Sequence, residues 1–408
     1  MRILVFNCGS SSLKFELIEV DAGGGRGHSH VRGLIENIGK KQARYTYRCD
    51  DAVVASGDAA HDKHEAAARH ALDWLKSLKP DRVKDLNAVA HRIVHGGNTI
   101  SQPVIVDDGV LDAIQKAAIF APLHNPAALA TIRTVGELLP GVPEVVVADT
   151  AFHQTLPPYA STYAIPREMA ARHGIRRFGF HGIGHSYMMD RYAQLNGKLA
   201  QTLDLITLQL GAGCSVAAIA KGRSVDTSMG LTPLEGLMMA TRSGDIDPTI
   251  PGFLAAREGL STDAVEQVLN NESGLLGVSG ISSDMREVEA AAARGDRDAA
   301  LAIEIFYYRA RKYIGSYLAV LGRADAIIFG AGIGEHSDSA RAQICAGLDA
   351  FGITLDPDRN REGNARECRI SAPDSKVEVW VIPLDEELQM ARAAGSLLNA
   401  AGGGQPRG

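Results

Sequence analysis

The sequence predicts a mixed α/β protein made of two similar lobes, and three observations lead there. The chain has 408 residues, more than one hydrophobic core usually serves. A glycine-bearing β-hairpin opens each half, and amphipathic helices alternate with short apolar strands.

The elements follow in chain order. Ile3-Leu4-Val5-Phe6 is a buried-strand run, broken by Asn7-Cys8-Gly9-Ser10-Ser11-Ser12, after which Leu13, Phe15 and Leu17 alternate with Lys14 and Glu16. An apolar run, a Gly/Ser turn and an alternating run together predict a hairpin. Ala68, Ala71, Leu72, Leu75 and Leu78 share one face of a helix ending at Pro80. Val145 to Ala148 is a strand that delivers Asp149. The hairpin grammar returns at Leu205 to Leu210, Gly211 to Ser215 and Val216 to Ala220. Laying Gly9 over Gly213 and Ser11 over Ser215 suggests an internal duplication. Ile303, Phe306, Ala310, Tyr313, Tyr317 and Val320 mark a long amphipathic helix, followed by a strand at Ala326 to Phe329 and a turn at Gly330 to Glu335. Val377 to Ile382 is a last strand before a C-terminal helix, and the glycine-rich tail from Ala401 is expected to be disordered. The lobes are placed at 1–150 with 385–408, and at 151–384.

Composition excludes several classes. A net charge of -6, with 45% hydrophobic and 22% charged residues, suits a soluble globular protein and no nucleic-acid partner. Five scattered cysteines with no Cys-x-x-Cys pair fit a reducing cytosol, and no apolar run is long enough for a signal peptide or a membrane span. No His-x-x-x-His or Cys-x-x-Cys pair suggests zinc.

Three glycine turns follow strands directly, and glycines there let backbone N–H groups approach an anion. None is a P-loop, and Glu335 stands where a dinucleotide fingerprint would need glycine. Arg92, beside Gly96 and Gly97, and Arg242, in a turn-rich loop, offer planar forks for carboxylate or phosphate. For Arg242 the competing reading is an ion pair with Asp245. Asp149 reads either as a helix N-cap or as a catalytic carboxylate. His124 and His181, beside prolines or glycines, read as turn residues or as ligands. Asp385-Glu386-Glu387 suits a helix start or a Mg²⁺ contact.

Taken together, these segments resemble the acetate kinase (acetokinase) family. Asn7 to Phe15, His91 to Gly97, Asp149 to His153, Thr227 to Met239 running into Thr241 to Asp245, Ser283 to Arg286 and Gly332 to Glu335 are similar to its signatures, in the same order. The resemblance implies two duplicated ribonuclease-H-like (actin-like ATPase) domains flanking a nucleotide cleft. It implies direct in-line transfer of the ATP γ-phosphoryl group to acetate, with Mg²⁺ (or Mn²⁺) as cofactor, in a cytoplasmic homodimer. By the same resemblance Arg92 and Arg242 clamp acetate and the phosphoryl group, His181 donates to the transition state, and Asp149 positions the active site or its metal. Asn7 and Glu386 lie at the metal, and Val94, Leu123, Phe180 and Pro233 shape the pocket for the acetate methyl. Ser12, Lys14, Gln209, Leu210, Gly211, Ala212, Gly213, Asp284, Met285, Arg286, Gly332, Ile333, Gly334, Glu335 and His336 surround ATP. The family usually reads His-Leu-Gly-Asn-Gly where this chain has Gln209-Leu210-Gly211-Ala212-Gly213, so two polar side chains near the phosphates are altered. Three other readings stand beside this one: a propionate or other short-chain acid kinase, a pyrophosphate-using variant, and a catalytically weak nucleotide-binding regulator.

Overall fold

The computed structural model describes residues 1–21, 27–40, 42–59 and 61–402. The chain divides into two compact units, Met1–Phe152 with the segment from Asp385 onward, and His153–Leu384.

The first unit carries strands β1 (Arg2–Cys8), β2 (Ser12–Glu19), β3 (His28–Glu36), β4 (Ala43–Cys49), β5 (Ala52–Ala59), β6 (Ala88–Ile93), β7 (Val104–Ile105) and β8 (Glu144–Ala148). They form one sheet in the order β5-β4-β3-β2-β1-β6-β8-β7. β1 pairs antiparallel with β2 and parallel with β6, which pairs parallel with β8. Ile3 to Phe6 are fully buried, as an apolar run covered on both faces requires. Leu4 and Phe6 join the core under helices His64–Ser77 and Asn125–Leu138, while Ile3 meets the C-terminal helix Glu386–Gly402 near Gly395. The period of two along a strand sends alternate residues to the two layers.

The second unit carries β9 (Asp204–Leu210), β10 (Cys214–Ala220), β11 (Arg223–Thr227), β12 (Ala326–Gly330), β13 (Cys368–Arg369) and β14 (Glu378–Val381), ordered β11-β10-β9-β12-β14-β13. Here β9 is antiparallel to β10 and parallel to β12, and β12 is parallel to β14. The run β3-β2-β1-β6-β8 therefore recurs, strand for strand and in direction, as β11-β10-β9-β12-β14. The duplication is one of topology.

Several expectations change. The first hairpin closes on Cys8 and Leu13, the second on Leu210 and Cys214. The second loop is thus one residue shorter, and Gly9 corresponds to Gly211 as the first residue after the strand, so the constant overlay on Gly213 and Ser215 is replaced. The turn expected at Gly330 to Glu335 is a short helix, Ala331–His336. The long helix runs Arg297–Leu321, capped by the Asp296 side chain on Ala299 N and stopped at Gly322 with φ 72°. Its buried seam passes through Ala302, Phe306, Ala310, Ile314 and Tyr317, leaving Val320 51% exposed. The C-terminal helix continues to Gly402, past the point where the tail was expected to begin; the rest of that tail lies outside the described residues.

Candidate active site

In the first unit the parallel strands β1, β6 and β8 end side by side and carry Asn7, Arg92 and Asp149 at or just past their carboxyl ends. Ligands gather at such strand ends in α/β sheets. Arg92 Nε donates to Asp149 Oδ1 at 3.0 Å and Nη2 to Oδ2 at 2.6 Å, a bidentate fork. Nη1 donates to Asn7 Oδ1 at 2.9 Å, and Asn7 Nδ2 donates to Glu387 Oε1 at 2.9 Å. Burial opposes the charge on Arg92, but Asp149, with Glu386 and Glu387 nearby, outweighs it and holds the guanidinium protonated above its ordinary pKa. Asp149 is 1% exposed, and its carboxylate is spent on Arg92 rather than on a helix N-cap. The helix-start reading of the acidic triplet holds for Asp385, whose side chain accepts from Leu388 N at 2.9 Å. Glu386 and Glu387 follow in the first turn.

Lys14 stands directly opposite Asn7 on β2, and with Glu16, Arg32, Arg48 and Glu387 lines a depression of about 410 Å³. At the β1–β2 turn, a side chain on Gly9 would meet Ser12 Oγ at 2.6 Å, so the serine hydroxyl would have to turn away to admit one. Val94 is buried, whereas Leu123 is 64% exposed. His124 precedes helix Asn125–Leu138 in a turn, its N–H bonded to Ala121 O.

The second unit gathers the other expected groups around the β9–β10 turn. A Cβ on Gly213 would lie 3.3 Å from Arg242 Nη1 and 3.4 Å from His181 Nε2. Arg242 and His181 thus flank the same glycine. Arg242 Nη1 donates to Pro233 O at 3.3 Å, and among the described residues no carboxylate pairs with it. Asp245 is engaged elsewhere: its Oδ1 accepts from Gly236 N at 2.8 Å and its Oδ2 from the Tyr313 hydroxyl at 2.7 Å. The ion-pair reading of Arg242 falls. Burial pushes the Arg242 pKa down, the mark of a desolvated cation without a carboxylate partner.

His181 has φ 58°, a left-handed conformation costly for a side-chain-bearing residue. Its Nδ1 lies 2.8 Å from Ser215 Oγ, which lies 2.7 Å from His185 Nε2, whose Nδ1 lies 2.7 Å from Thr207 Oγ1. Burial, with His153 and His181 adding to it, holds the His185 pKa well below its ordinary value, so His185 is neutral. Phe180 is fully buried, and its carbonyl meets His153 Nε2 at 3.0 Å.

A cavity of about 820 Å³ opens beside this turn, lined among others by Gly211, Ala212, Met285, Gly332, Ile333 and His336. Asp284 and Arg286 also reach it; the Asp284 carboxylate caps helix Met285–Ala293 through Arg286 N at 2.9 Å. The size suits a drug-sized or nucleoside-sized ligand. Leu210, Gly334 and Glu335 are placed otherwise. Leu210 is wholly in the core, Gly334 O accepts from the buried Arg341, and Glu335 Oε1 accepts from Ala331 N at 2.7 Å and Leu384 N at 3.0 Å. Glu335 locks the strand ends together and is not turned to the cavity. Gln209 is buried at the end of β9, next to the turn.

Sequence reasoning passed over the chain Thr207–His185–Ser215. His185 stands one helical turn past His181, a spacing that carried the signal. His91 and His95 share that spacing, yet neither pair forms a zinc pair: His91 Nε2 meets Glu144 at 2.7 Å, and His181 and His185 share Ser215. Also missed was Arg177, whose Nη1 donates to the carbonyls of Thr227, Ser228 and Met229 and whose Nη2 pairs with Glu235, fixing the loop that leads to Arg242.

The Acetokinase family profile matches residues 2–392. An acetate kinase of Thermotoga sp. (strain RQ2) is 46% identical over 408 residues, covering 98% of this chain and 100% of that protein. The crystal structure of Porphyromonas gingivalis acetate kinase superposes with TM-score 0.90 at 38% identity, covering 97% of this chain and 99% of the other. A propionate kinase from Francisella tularensis subsp. tularensis SCHU S4 superposes with TM-score 0.88 at 38% identity, covering 96% and 98%.

Proposed function

The chain belongs to the acetokinase family, and from that premise we propose that it transfers the γ-phosphoryl group of ATP reversibly to acetate, giving acetyl phosphate and ADP. The observation that carries this reading is Arg242, a desolvated guanidinium with no carboxylate partner among the described residues, held beside His181 and a phosphate-type glycine turn. Burying a cation unpaired is costly, and an anionic substrate repays that cost on arrival.

Acetate is ionised at neutral pH, so no base is needed to prepare it. A carboxylate oxygen forms a bond to the γ-phosphorus as the β–γ bridging P–O bond breaks, and ADP leaves with that electron pair. Arg242 stabilises charge on the transferring phosphoryl group. Arg92, with three of its five N–H donors spent on Asp149 and Asn7, keeps two for the acetate carboxylate. Asp149 fixes the plane of the Arg92 fork.

In the direction that serves transfer, Thr207 donates to His185 Nδ1, His185 Nε2–H to Ser215 Oγ, and Ser215 to His181 Nδ1, which leaves a proton on His181 Nε2, the nitrogen beside Gly213, to donate to the phosphoryl oxygens. The residues of the first unit fit Mg²⁺, a hard cation that takes oxygen ligands and keeps waters. The amide oxygen of Asn7 and the Glu386 carboxylate would hold it, where it would neutralise phosphate charge. The base and ribose belong in the cavity at Met285, Ile333 and His336, with Gly211 and Ala212 toward the phosphates.

A coupled assay with ATP, Mg²⁺ and acetate tests the reading, and failure to form acetyl phosphate overturns it. Propionate in parallel decides the acid. The buried, β-branched Val94 favours acetate, and Val94→Ala should move the preference toward propionate by about tenfold, the worth of a methylene. A homodimer, checked by sedimentation, and a cytoplasmic location complete the proposal; no helix among the described residues is long and apolar enough to cross a membrane.

A further inference from the structure

At the far end of the first sheet, β3 carries His28 and His30 two residues apart, hence on one face. Their rings meet edge to face with centroids 4.4 Å apart. Asp50, in the turn between β4 and β5 with φ 43°, is tied to the same strand by its N–H, which donates to His30 O at 3.2 Å. His28 Nε2 lies 3.9 Å from Asp50 Oδ1. Among the described residues these three side chains are the one such group whose ligand atoms all fall within 4.8 Å of each other. A fourth side chain supports them: Glu19 on β2 accepts from His30 Nε2 at 3.0 Å.

We propose that His28, His30 and Asp50 form a binding site for Zn²⁺ or another late first-row divalent cation, with Glu19 orienting the His30 imidazole. Two imidazoles and a carboxylate are the donor set these ions take, with water completing the shell. A carboxylate behind a ligating imidazole is the arrangement that fixes its ring and raises its basicity. Bonds of about 2.0–2.1 Å in a tetrahedron set ligand atoms roughly 3.3 Å apart. The present spacing of up to 4.8 Å lies about 1.5 Å beyond that, and His28 and Asp50, both exposed, have room to turn toward a common centre.

The site is separate from the proposed Mg²⁺ position. Glu19 pairs with Arg2 on one side and His28 on the other. Asn7 lies five residues further along β1 than Arg2, about 17 Å at the rise of a strand. A metal here joins β2, β3 and the β4–β5 turn, so its effect is on the stability of the first unit rather than on phosphoryl transfer.

The test uses the full-length protein, stripped with a chelator and held in excess Mg²⁺, with Co²⁺ as the probe. One equivalent should bind and develop the visible absorption of low-coordinate Co²⁺, and Zn²⁺ should displace it and raise the Tm. His28→Ala and His30→Ala should each weaken binding by about a hundredfold, Glu19→Gln by about tenfold, and the double histidine variant should lose the Tm shift while keeping kinase activity. The absence of a Co²⁺ band in the wild-type protein, or a band unchanged in the double variant, overturns the proposal.

Discussion

Replacing Gly213 by alanine separates catalytic geometry from folding. The new methyl carbon would stand 3.3 Å from Arg242 Nη1, 3.3 Å from His181 Cε1 and 3.4 Å from His181 Nε2. Comfortable contacts lie at about 3.5–4.0 Å, so the two side chains must part by a few tenths of an ångström. The backbone raises no objection, because Gly213 is not in the positive-φ region, and a Gly→Ala change at a compatible site favours folding by about 0.4–1 kcal/mol through the unfolded chain. A misplacement of 1 Å in a catalytic site costs about 10²-fold. Gly213→Ala should therefore lower kcat by about ten- to a hundredfold, roughly 1.4–2.7 kcal/mol of barrier, with Tm unchanged or slightly higher. Coupled-assay kinetics and a thermal melt on the same preparation give both numbers. An unaltered kcat would refute the claim that Arg242 and His181 act across this glycine. A Tm that drops together with the activity would show that the methyl disturbs the fold instead.

Arg242→Ala should reduce kcat by about 10³-fold with little change in nucleotide affinity, and it should not destabilise the protein, since it removes a buried cation that has no carboxylate partner among the described residues; a mild kinetic effect would return Arg242 to a structural role. His185→Asn should cost about ten- to a hundredfold in kcat, as loss of a residue orienting another does, with Ser215→Ala matching it; a silent His185 variant would break the relay. The His185 pKa is depressed in the folded state, so the unfolded chain binds the extra proton: stability is full above about pH 6.5 and falls with acid by up to about 1.4 kcal/mol per pH unit. Urea titrations between pH 5 and pH 7.5 should show that slope, partly flattened in His185→Asn; His61 and His70, also depressed by burial, add to it in the same direction. Ala212 lines the nucleotide-sized cavity, whereas Gln209 is buried at the end of β9. Gln209→His with Ala212→Asn should raise kcat/KM for ATP by about tenfold, one charged hydrogen bond, with most of the gain in Ala212→Asn alone. If the double variant loses activity, the loop is adapted to its present residues.

Whatever depends on neighbours along the chain was legible in the sequence. The apolar run at Ile3, the alternation through Leu13, Phe15 and Leu17, the helix that stops ahead of Pro80 and the strand that delivers Asp149 each declare themselves by a local period or a breaker residue. The turns at Gly9 and Gly211 could be placed, though not their loop lengths, because those are settled by cross-strand partners: Cys8 with Leu13, Leu210 with Cys214. Within the site, the sequence named Arg92, Asp149, His181 and Arg242 but left open whether each was structural or chemical.

Only the tertiary structure decided that, because polar side chains choose partners by proximity in space. Asp245, three residues from Arg242, would have been its natural partner by spacing, yet the fold commits that carboxylate to Gly236 N and the Tyr313 hydroxyl and leaves the arginine without it. Arg92 takes a partner 57 residues away because the parallel register of β6 and β8 ends both strands at the same level. The third glycine segment became a helix, with Glu335 consumed by its first N–H and by Leu384 N. His28 and His30 come onto one face only once their segment is a strand, since a spacing of two puts ligands together in an extended chain and apart in a helix. Composition and period determine which elements form; long-range register and competition for hydrogen bonds determine which charge is satisfied and which is left for a substrate.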